Sequence, residues 1–147
     1  MTARLSDVAA RLRGPALDRA VEQAAGQTAE VGLARMRMRL SGRVLQRGQD
    51  GALFRTARVD VEPSGSALRI VFRAGSNKVP FAAIHEHGGI ILPKRGRYLK
   101  FRVNGEWRQV TRVVMPERPY VRPSLKEAGQ AFPALLSARV TDALSVT

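Results

Sequence analysis

Two runs of alternating residues near the middle of the chain restrict the fold more than any other feature. In residues 57–62, apolar and charged side chains alternate strictly. Residues 68–73 repeat the alternation, with one side formed by Leu68, Ile70 and Phe72. A period of two is typical of a half-buried strand, and turn-forming residues occupy 63–66. The pattern predicts an antiparallel hairpin with one face in the core.

A second hairpin is predicted between Lys94 and Met115. Residues 98–103 alternate, and Asn104-Gly105 is the strongest two-residue hairpin signal in the chain. We expect Phe101 to face the core. We also expect the return strand, residues 107–115, to carry its basic side chains on the outer face that Lys100 and Arg102 share.

Helical patterns lie on both sides of the strands. Leu5, Val8, Ala9 and Leu12 predict a short amphipathic helix over 3–13. Pro15 suits the first turn of a second helix, which should run to about Arg39 along the narrow stripe formed by Leu17, Val21, Ala24, Thr28 and Val31. So narrow a stripe suggests that this helix is only partly covered by its own domain. The glycine-rich residues 41–53 are expected to form a loop.

A last helix is predicted to begin near Arg122-Pro123. Its buried stripe should consist of Val121, Leu125, Ala128, Phe132, Leu136 and Val140, and Pro133 should kink or split it.

The order of these patterns predicts an α+β fold. A long N-terminal helix, an antiparallel sheet with a basic hairpin, and a C-terminal helix packed on the sheet follow one another without βαβ alternation. The 147 residues suit a single domain. Its parts are expected to be helical over 1–40, sheet over 54–115 and helical over 120–145.

Composition excludes several classes of protein. The chain has no cysteine, which excludes disulfides and thiol chemistry. It has no apolar run long enough to span a membrane. Its first residues lack the apolar core of a signal peptide, so we expect a soluble protein that is made in the cytoplasm.

The net charge of +13 is concentrated in two segments. Residues 35–58 hold seven arginines, Arg43 and Arg47 among them, against Asp50 alone. Residues 94–122 hold nine basic residues against two glutamates. Such clustering suits a polyanion or an acidic protein partner, although a solvated basic surface is the simpler alternative.

His85-Glu86-His87 contains the only two histidines and resembles a metal or acid–base site. A catalytic zinc needs three protein ligands and an open position, and no third ligand is apparent. No carboxylate pair stands out for acid–base catalysis, and no phosphate-binding glycine loop is present. The sequence therefore predicts no catalytic, metal or cofactor site, and a histidine pair at a surface or subunit contact is favoured.

The basic hairpin is the strongest functional feature. Its candidate contact residues for a partner or for DNA are Lys94, Arg95, Arg97, Lys100, Arg102 and Arg108. They could bind phosphates non-specifically or an acidic rim of another protein, and protein contact is favoured.

Two motifs resemble those of tailed-phage virion-morphogenesis and tail-completion proteins. The first is Phe81-Ala-Ala-Ile-His-Glu86-His-Gly88-Gly89, and the second is Pro116-Glu-Arg118-Pro119-Tyr120-Val-Arg-Pro-Ser-Leu125. The likeness covers roughly residues 78–126. Phe81 stands where the family has a tyrosine, and Tyr120-Val121 where it has Phe-Leu, so size and apolarity are kept at these positions. His87 and Glu117 depart further, because the family pattern has an aromatic residue and an alanine there.

The resemblance implies a small non-enzymatic α+β subunit that forms a homo-oligomeric ring at the head–tail junction. Its implied partners are the tail tube and head–tail connector proteins, with DNA in the channel as a further candidate. No contact with a membrane is expected. The implied location is the virion, after assembly in the bacterial cytoplasm. The motif residues of this chain would form a structural corner: Phe81, Glu86, Gly88, Gly89, Pro116, Arg118, Pro119 and Tyr120. The alternatives are a stand-alone nucleic-acid-binding module and a histidine-based metalloenzyme.

Overall fold

The computed structural model of the chain describes residues 14–43 and 51–145. The helix predicted over 3–13, and most of the loop predicted over 41–53 with Arg47, lie outside these residues. The fold is α+β, as predicted. No helix in the described part of the chain is long and apolar enough to cross a membrane.

The elements follow in chain order. They are α1 (Pro15–Met38), continued by a π-helical turn (Arg39–Arg43), α2 (Ala52–Thr56), β1 (Arg58–Ser64), β2 (Ala67–Arg73), α3 (Ala82–His87), β3 (Gly89–Ile91), β4 (Leu99–Val103), β5 (Glu106–Val110), β6 (Val113–Met115) and α4 (Val121–Ser145).

Strands β1 and β2 form the predicted antiparallel hairpin. Val59 pairs with Phe72, and Val61 with Ile70, so their side chains share one face. On the opposite face, Arg73 donates to Asp60 and Glu62 at 2.6 Å each. The alternation of apolar and charged residues therefore places the apolar side chains on a core face and the ion-paired side chains on an outer face.

Helices α1 and α4 pack side by side, because the buried face of α1 is made of small residues. Ala24 and Ala25 are buried, and so is Gly32. A Cβ atom on Gly32 would lie 2.5 Å from Cζ of Phe72 and 3.4 Å from Cβ of Ala128. Gly32 therefore lets the Phe72 ring of β2 reach in beside both helices.

The larger core side chains gather at the C-terminal end of α1. Met36, Leu40, Leu53 and Tyr120 are almost completely buried there. The predicted loop over 41–53 is wrong at its end, since Ala52 begins α2 and Leu53 anchors that short helix in the core. An apolar contact at Leu53 outweighs the local glycine-rich composition.

The buried residues of helix α4 differ from the buried stripe that the sequence predicted. Ser124 and Ala128 are its buried residues, whereas Leu125 is 49% exposed. The helix is not split at Pro133 but continues to Ser145. Loss of one backbone hydrogen bond at a proline is offset here by packing along α1.

Within residues 14–43 and 51–145, the strands do not form one sheet but three two-stranded ladders. The predicted return strand over 107–115 is interrupted after Val110, and its second part, β6, pairs with β3 rather than with β4. The two ladders β3–β6 and β4–β5 follow each other along one long, interrupted hairpin. We call residues 89–115 the arm, and β4–β5 with its turn the tip hairpin.

Candidate assembly interface

The carboxylate of Glu86 joins the two motif segments. Glu86 is 5% exposed. Its Oε2 accepts hydrogen bonds from the backbone N–H groups of Tyr120 at 2.7 Å and Val121 at 2.9 Å. Its Oε1 accepts from the N–H of Arg122 at 2.9 Å and from the Nε of Arg122 at 3.3 Å. A residue in α3 thus caps the N-terminus of α4, where backbone donors have no partner within the helix.

This capping also determines the charge of Glu86. Burial opposes ionisation, but the N–H groups of Val121, Arg122 and Tyr120 and the Arg122 side chain outweigh it, so that the pKa of Glu86 lies below its ordinary value. The positive end of the α4 dipole favours the same ionised form. Glu86 is therefore a charged structural cap.

Tyr120 completes the closure from the other segment. It is 1% exposed, and its hydroxyl donates to the carbonyl oxygen of Ala82 at 3.2 Å. Burial and the nearby negative charge of Glu86 raise the pKa of Tyr120 to about 12. Two opposed contacts, from Glu86 to residues 120–122 and from Tyr120 to Ala82, hold α3 against the start of α4.

Gly88 makes this close approach possible. It has a φ of 66°, and a Cβ atom there would lie 2.9 Å from the backbone nitrogen of Glu117 and 3.0 Å from the carbonyl oxygen of Met115. The N–H of Arg118 donates to the carbonyl oxygen of His85 at 2.9 Å. Arg122 also forms an ion pair with Glu117. We call residues 81–88 with 116–122 the corner.

The structure brings most of the predicted corner residues together. Glu86, Gly88, Arg118 and Tyr120 make the contacts given above, while Phe81 packs edge-on against the His85 ring with centroids 5.8 Å apart. Pro116 and Pro119 lie in the extended segment between β6 and α4, and Gly89 begins β3.

The two histidines do not form a metal site with other groups in the described part of the chain. No cluster of three metal-ligating residues occurs among residues 14–43 and 51–145. Burial lowers the pKa of His85, and the positive charge of Arg118 lowers it further. Both effects favour the neutral form of His85 within the corner, while His87 is exposed.

The arm has large apolar side chains in contact with solvent along its whole length. At its base, Ile90 and Val114 are directly paired and are 58% and 64% exposed. At its tip, Trp107 is 70% exposed. The tip hairpin makes only sparse contacts with the rest of the described chain. An isolated two-stranded hairpin is marginally stable in water, and the described residues leave this one largely without cover.

The register divides the tip hairpin into two chemically different faces. Phe101 pairs with Arg108, and Leu99 pairs with Val110, so these residues share the apolar face with Val103. Lys100 pairs with Gln109, and Arg102 pairs with Trp107, which together form the basic face. The guanidinium of Arg102 lies 5.6 Å from the centre of the Trp107 ring. Asn104 and Gly105 turn the chain with φ values of 51° and 85°.

Two predictions for the hairpin are wrong. Phe101 is not in the core, because the described chain places no element over its face and it stays 36% exposed. Arg108 does not share a face with Lys100 and Arg102, because the Asn-Gly turn sets a register in which it opposes Phe101. Arg108 instead lies 3.3 Å from Glu106 in an exposed ion pair.

The predicted cationic contact residues are exposed along the arm. Lys94, Arg95 and Arg97 lie between its two ladders, and Lys100 and Arg102 lie on the basic face. No ion pair among the described residues includes any of these five. Arg43 ends the π-helical turn, with its side chain outside the described part.

An apolar groove opens between α1, β2 and α4. Its volume is about 370 Å³, and its lining is Val21, Ala25, Thr28, Leu68, Ile70, Phe72, Leu125, Ala128, Gly129 and Phe132. The small residues of α1 and α4 leave the apolar face of β2 incompletely covered, which is why the groove exists. Leu125 and Gly129 both lie on its exposed side.

Sequence reasoning missed the groove because it assigned Leu125 and Phe132 to a buried stripe. The signal that could have indicated it is the excess of alanine and glycine on the two helices facing Leu68, Ile70 and Phe72. A comparison of the chain with models of known protein families, with curated proteins and with solved structures finds no match in any of the three.

Proposed function

We propose that this chain is a structural virion protein of the head–tail junction of a tailed phage or a phage-like particle. In this role it completes or terminates the tail and joins it to the head as a homo-oligomeric ring. Its work is assembly, and it catalyses no reaction.

The observation that carries this proposal is the exposed arm. A soluble monomer rarely exposes a long run of large apolar side chains, and contiguous exposed patches usually mark protein–protein contacts. Ile90, Val114 and Trp107 are each more than half exposed. The arm is therefore suited to bury these side chains against another subunit.

The corner supports the same proposal through the two motifs that resemble tail-completion proteins. The motifs are about thirty residues apart in sequence, and Glu86 links one to Tyr120 of the other. This linkage gives the motif residues a structural purpose, namely to fix the base of the arm on the helical core. A protruding arm on a fixed base is suited to subunit assembly.

A nucleic-acid-binding module is the second candidate, and the basic face of the tip hairpin favours it. Trp107 offers a ring for stacking, and Lys100 and Arg102 beside it offer cations for phosphates. Such binding would weaken steeply with added salt. In a ring, the same face could meet DNA in the channel.

The mass of the purified full chain, measured alone and with tail tubes over a wide range of protein concentrations, tests the leading proposal. We expect a discrete oligomer that joins tail tubes. A chain that stays strictly monomeric, binds duplex DNA and never joins particles would contradict the ring and favour the nucleic-acid module.

A further inference from the structure

The described residues leave two apolar surfaces open, and a single chain carries both. One is the apolar face of the tip hairpin, where Phe101 and Val103 are 36% and 42% exposed. The other is the groove between α1, β2 and α4, with a volume of about 370 Å³. That volume lies within the roughly 300–1,000 Å³ range of binding pockets. We propose that the groove of each subunit receives the tip hairpin of a second copy of this chain, apolar face inward with Phe101 as the anchor.

Charge complementarity identifies a second copy as the occupant. Residues 89–115 carry seven basic side chains against Glu106 alone, a net charge of +6. On α1, Asp18 and Glu22 precede the groove residues Val21 and Ala25 by three positions, which places them on the same side of the helix. Both are exposed, and neither belongs to an ion pair among the described residues. Helix α1 thus places two acidic side chains beside the groove, and these suit a basic arm.

The division of the hairpin into two faces determines its orientation. Burying Lys100 and Arg102 in an apolar groove would cost the hydration of two charges. The apolar face has one charged pair, Arg108 with Glu106, which already neutralise each other. Docking through Phe101 therefore leaves Trp107, Lys100 and Arg102 outside the groove.

The contact is heterologous, since the hairpin and the groove are different surfaces of the subunit. Contacts of this kind generate closed rings when the rotation between neighbours closes. The inference rests on the proposed ring and adds to it the pair of surfaces that hold neighbours together.

Cysteine cross-linking tests the docking directly, because the native chain contains no cysteine. Val103→Cys, which lies on the apolar face and keeps the Phe101 anchor, and Gly129→Cys proteins are mixed, allowed to exchange subunits and oxidised. We expect a disulfide-linked dimer in the mixture and far less in either protein alone. Gln109→Cys, on the opposite face of the hairpin, is the matched control and should give little product with Gly129→Cys.

A groove-filling variant gives an independent readout. A Cβ atom on Gly129 has nothing within 4 Å, and the same is true of Gly26, which does not line the groove. We expect Gly129→Trp to weaken assembly about tenfold or more, the effect of blocking a central anchor, while Gly26→Trp assembles like the unaltered chain.

The outcomes separate this inference from the ring itself. An oligomer that forms without the Val103–Gly129 cross-link and tolerates Gly129→Trp would overturn the docking and leave the ring standing. A cross-link from Gly129→Cys to Leu5→Cys or Val8→Cys within one chain would also overturn it, since the N-terminal segment would then occupy the groove. A strict monomer would overturn the proposed function first.

Discussion

The corner and the arm adjoin each other in the sequence but differ in what holds them. In the corner, one carboxylate accepts four hydrogen bonds, and both Glu86 and Tyr120 are buried. In the arm, Trp107, Val114 and Ile90 remain mostly exposed, and the tip hairpin has few neighbours. The difference shows that the contacts within the chain fix the base of the arm. The arm itself has few contacts with the described residues, and we propose that it contacts another subunit.

Removing the tip hairpin should have the largest effect, and it should fall on assembly alone. Replacing residues 98–111 by a short Gly-Ser linker is expected to weaken oligomer formation by about a hundredfold or more, since the main exposed anchors are lost. The unfolding free energy of the monomer should change by less than about 1 kcal/mol, because the hairpin contributes little to the core. Native mass measurement and denaturant unfolding give the two quantities.

Insertion of the same linker after Gly65, in the β1–β2 turn, is the control and should preserve assembly. A tip-deleted chain that still assembles would contradict the role of the arm in assembly. A tip-deleted chain that no longer folds would contradict the claim that the hairpin contributes little to the core.

Glu86→Ala should have the opposite outcome, with a large loss of stability. The change leaves the N–H groups of Tyr120, Val121 and Arg122 without their acceptor at the start of α4. We expect a loss of about 3 kcal/mol in the free energy of unfolding, measured by denaturant titration. Glu106→Ala on the arm removes only an exposed ion pair and should cost less than about 0.5 kcal/mol. Equal losses in the two variants would remove the distinction between corner and arm.

Substitutions at two glycines of α1 test the packing of the helical core beneath the corner. Gly32→Ala should destabilise the chain by about 1–3 kcal/mol, because the new Cβ would overlap the Phe72 ring. Gly26→Ala, in open space, should stabilise it by about 0.5–1 kcal/mol through better helix propensity. Thermal unfolding of both variants measures the two shifts, and shifts of the same sign would contradict the packing described here.

The smallest effect is the pH dependence of the corner. The folded chain holds the pKa of Glu86 below its ordinary value of 4.5. The stabilisation that the ionised Glu86 carboxylate gives the folded chain is therefore fully present when the pH is above the ordinary pKa. It is lost as the pH falls through the lower pKa of the folded state. The difference in unfolding free energy between the unaltered chain and Glu86→Gln should be constant near neutral pH and shrink in acid. A difference that grows as the pH falls would reverse the assigned sign.

The sequence predicted the fold where a local pattern and a tertiary contact agree. The β1–β2 hairpin followed from alternation, because Val59 and Phe72 do face the core. Prediction was wrong at Phe101, where the same alternation holds but no element of the described part of the chain covers the face. A period of two indicates that a strand has an apolar side. It does not indicate whether that side is covered by the same chain or by another.

The corner illustrates a different limit. Glu86 and Tyr120 were expected to shape a corner, but the sequence could not indicate that one caps the helix that follows the other. The two residues are separated by 34 positions, and side-chain capping is normally recognised from residues next to the helix. The groove was hidden for a related reason, since Leu125 has the spacing of a core residue but lies on the open side of α4.

Hydrogen–deuterium exchange of the full chain, in dilute monomer and in concentrated oligomer, tests the central claim most directly. We predict that amides of residues 99–110 exchange rapidly in the monomer and become protected in the oligomer. Amides of α4 next to the Glu86 carboxylate should be protected equally in both. Tip amides that are already protected in the monomer, or that stay unprotected in the oligomer, would contradict the claim that the arm is left for contact with another subunit.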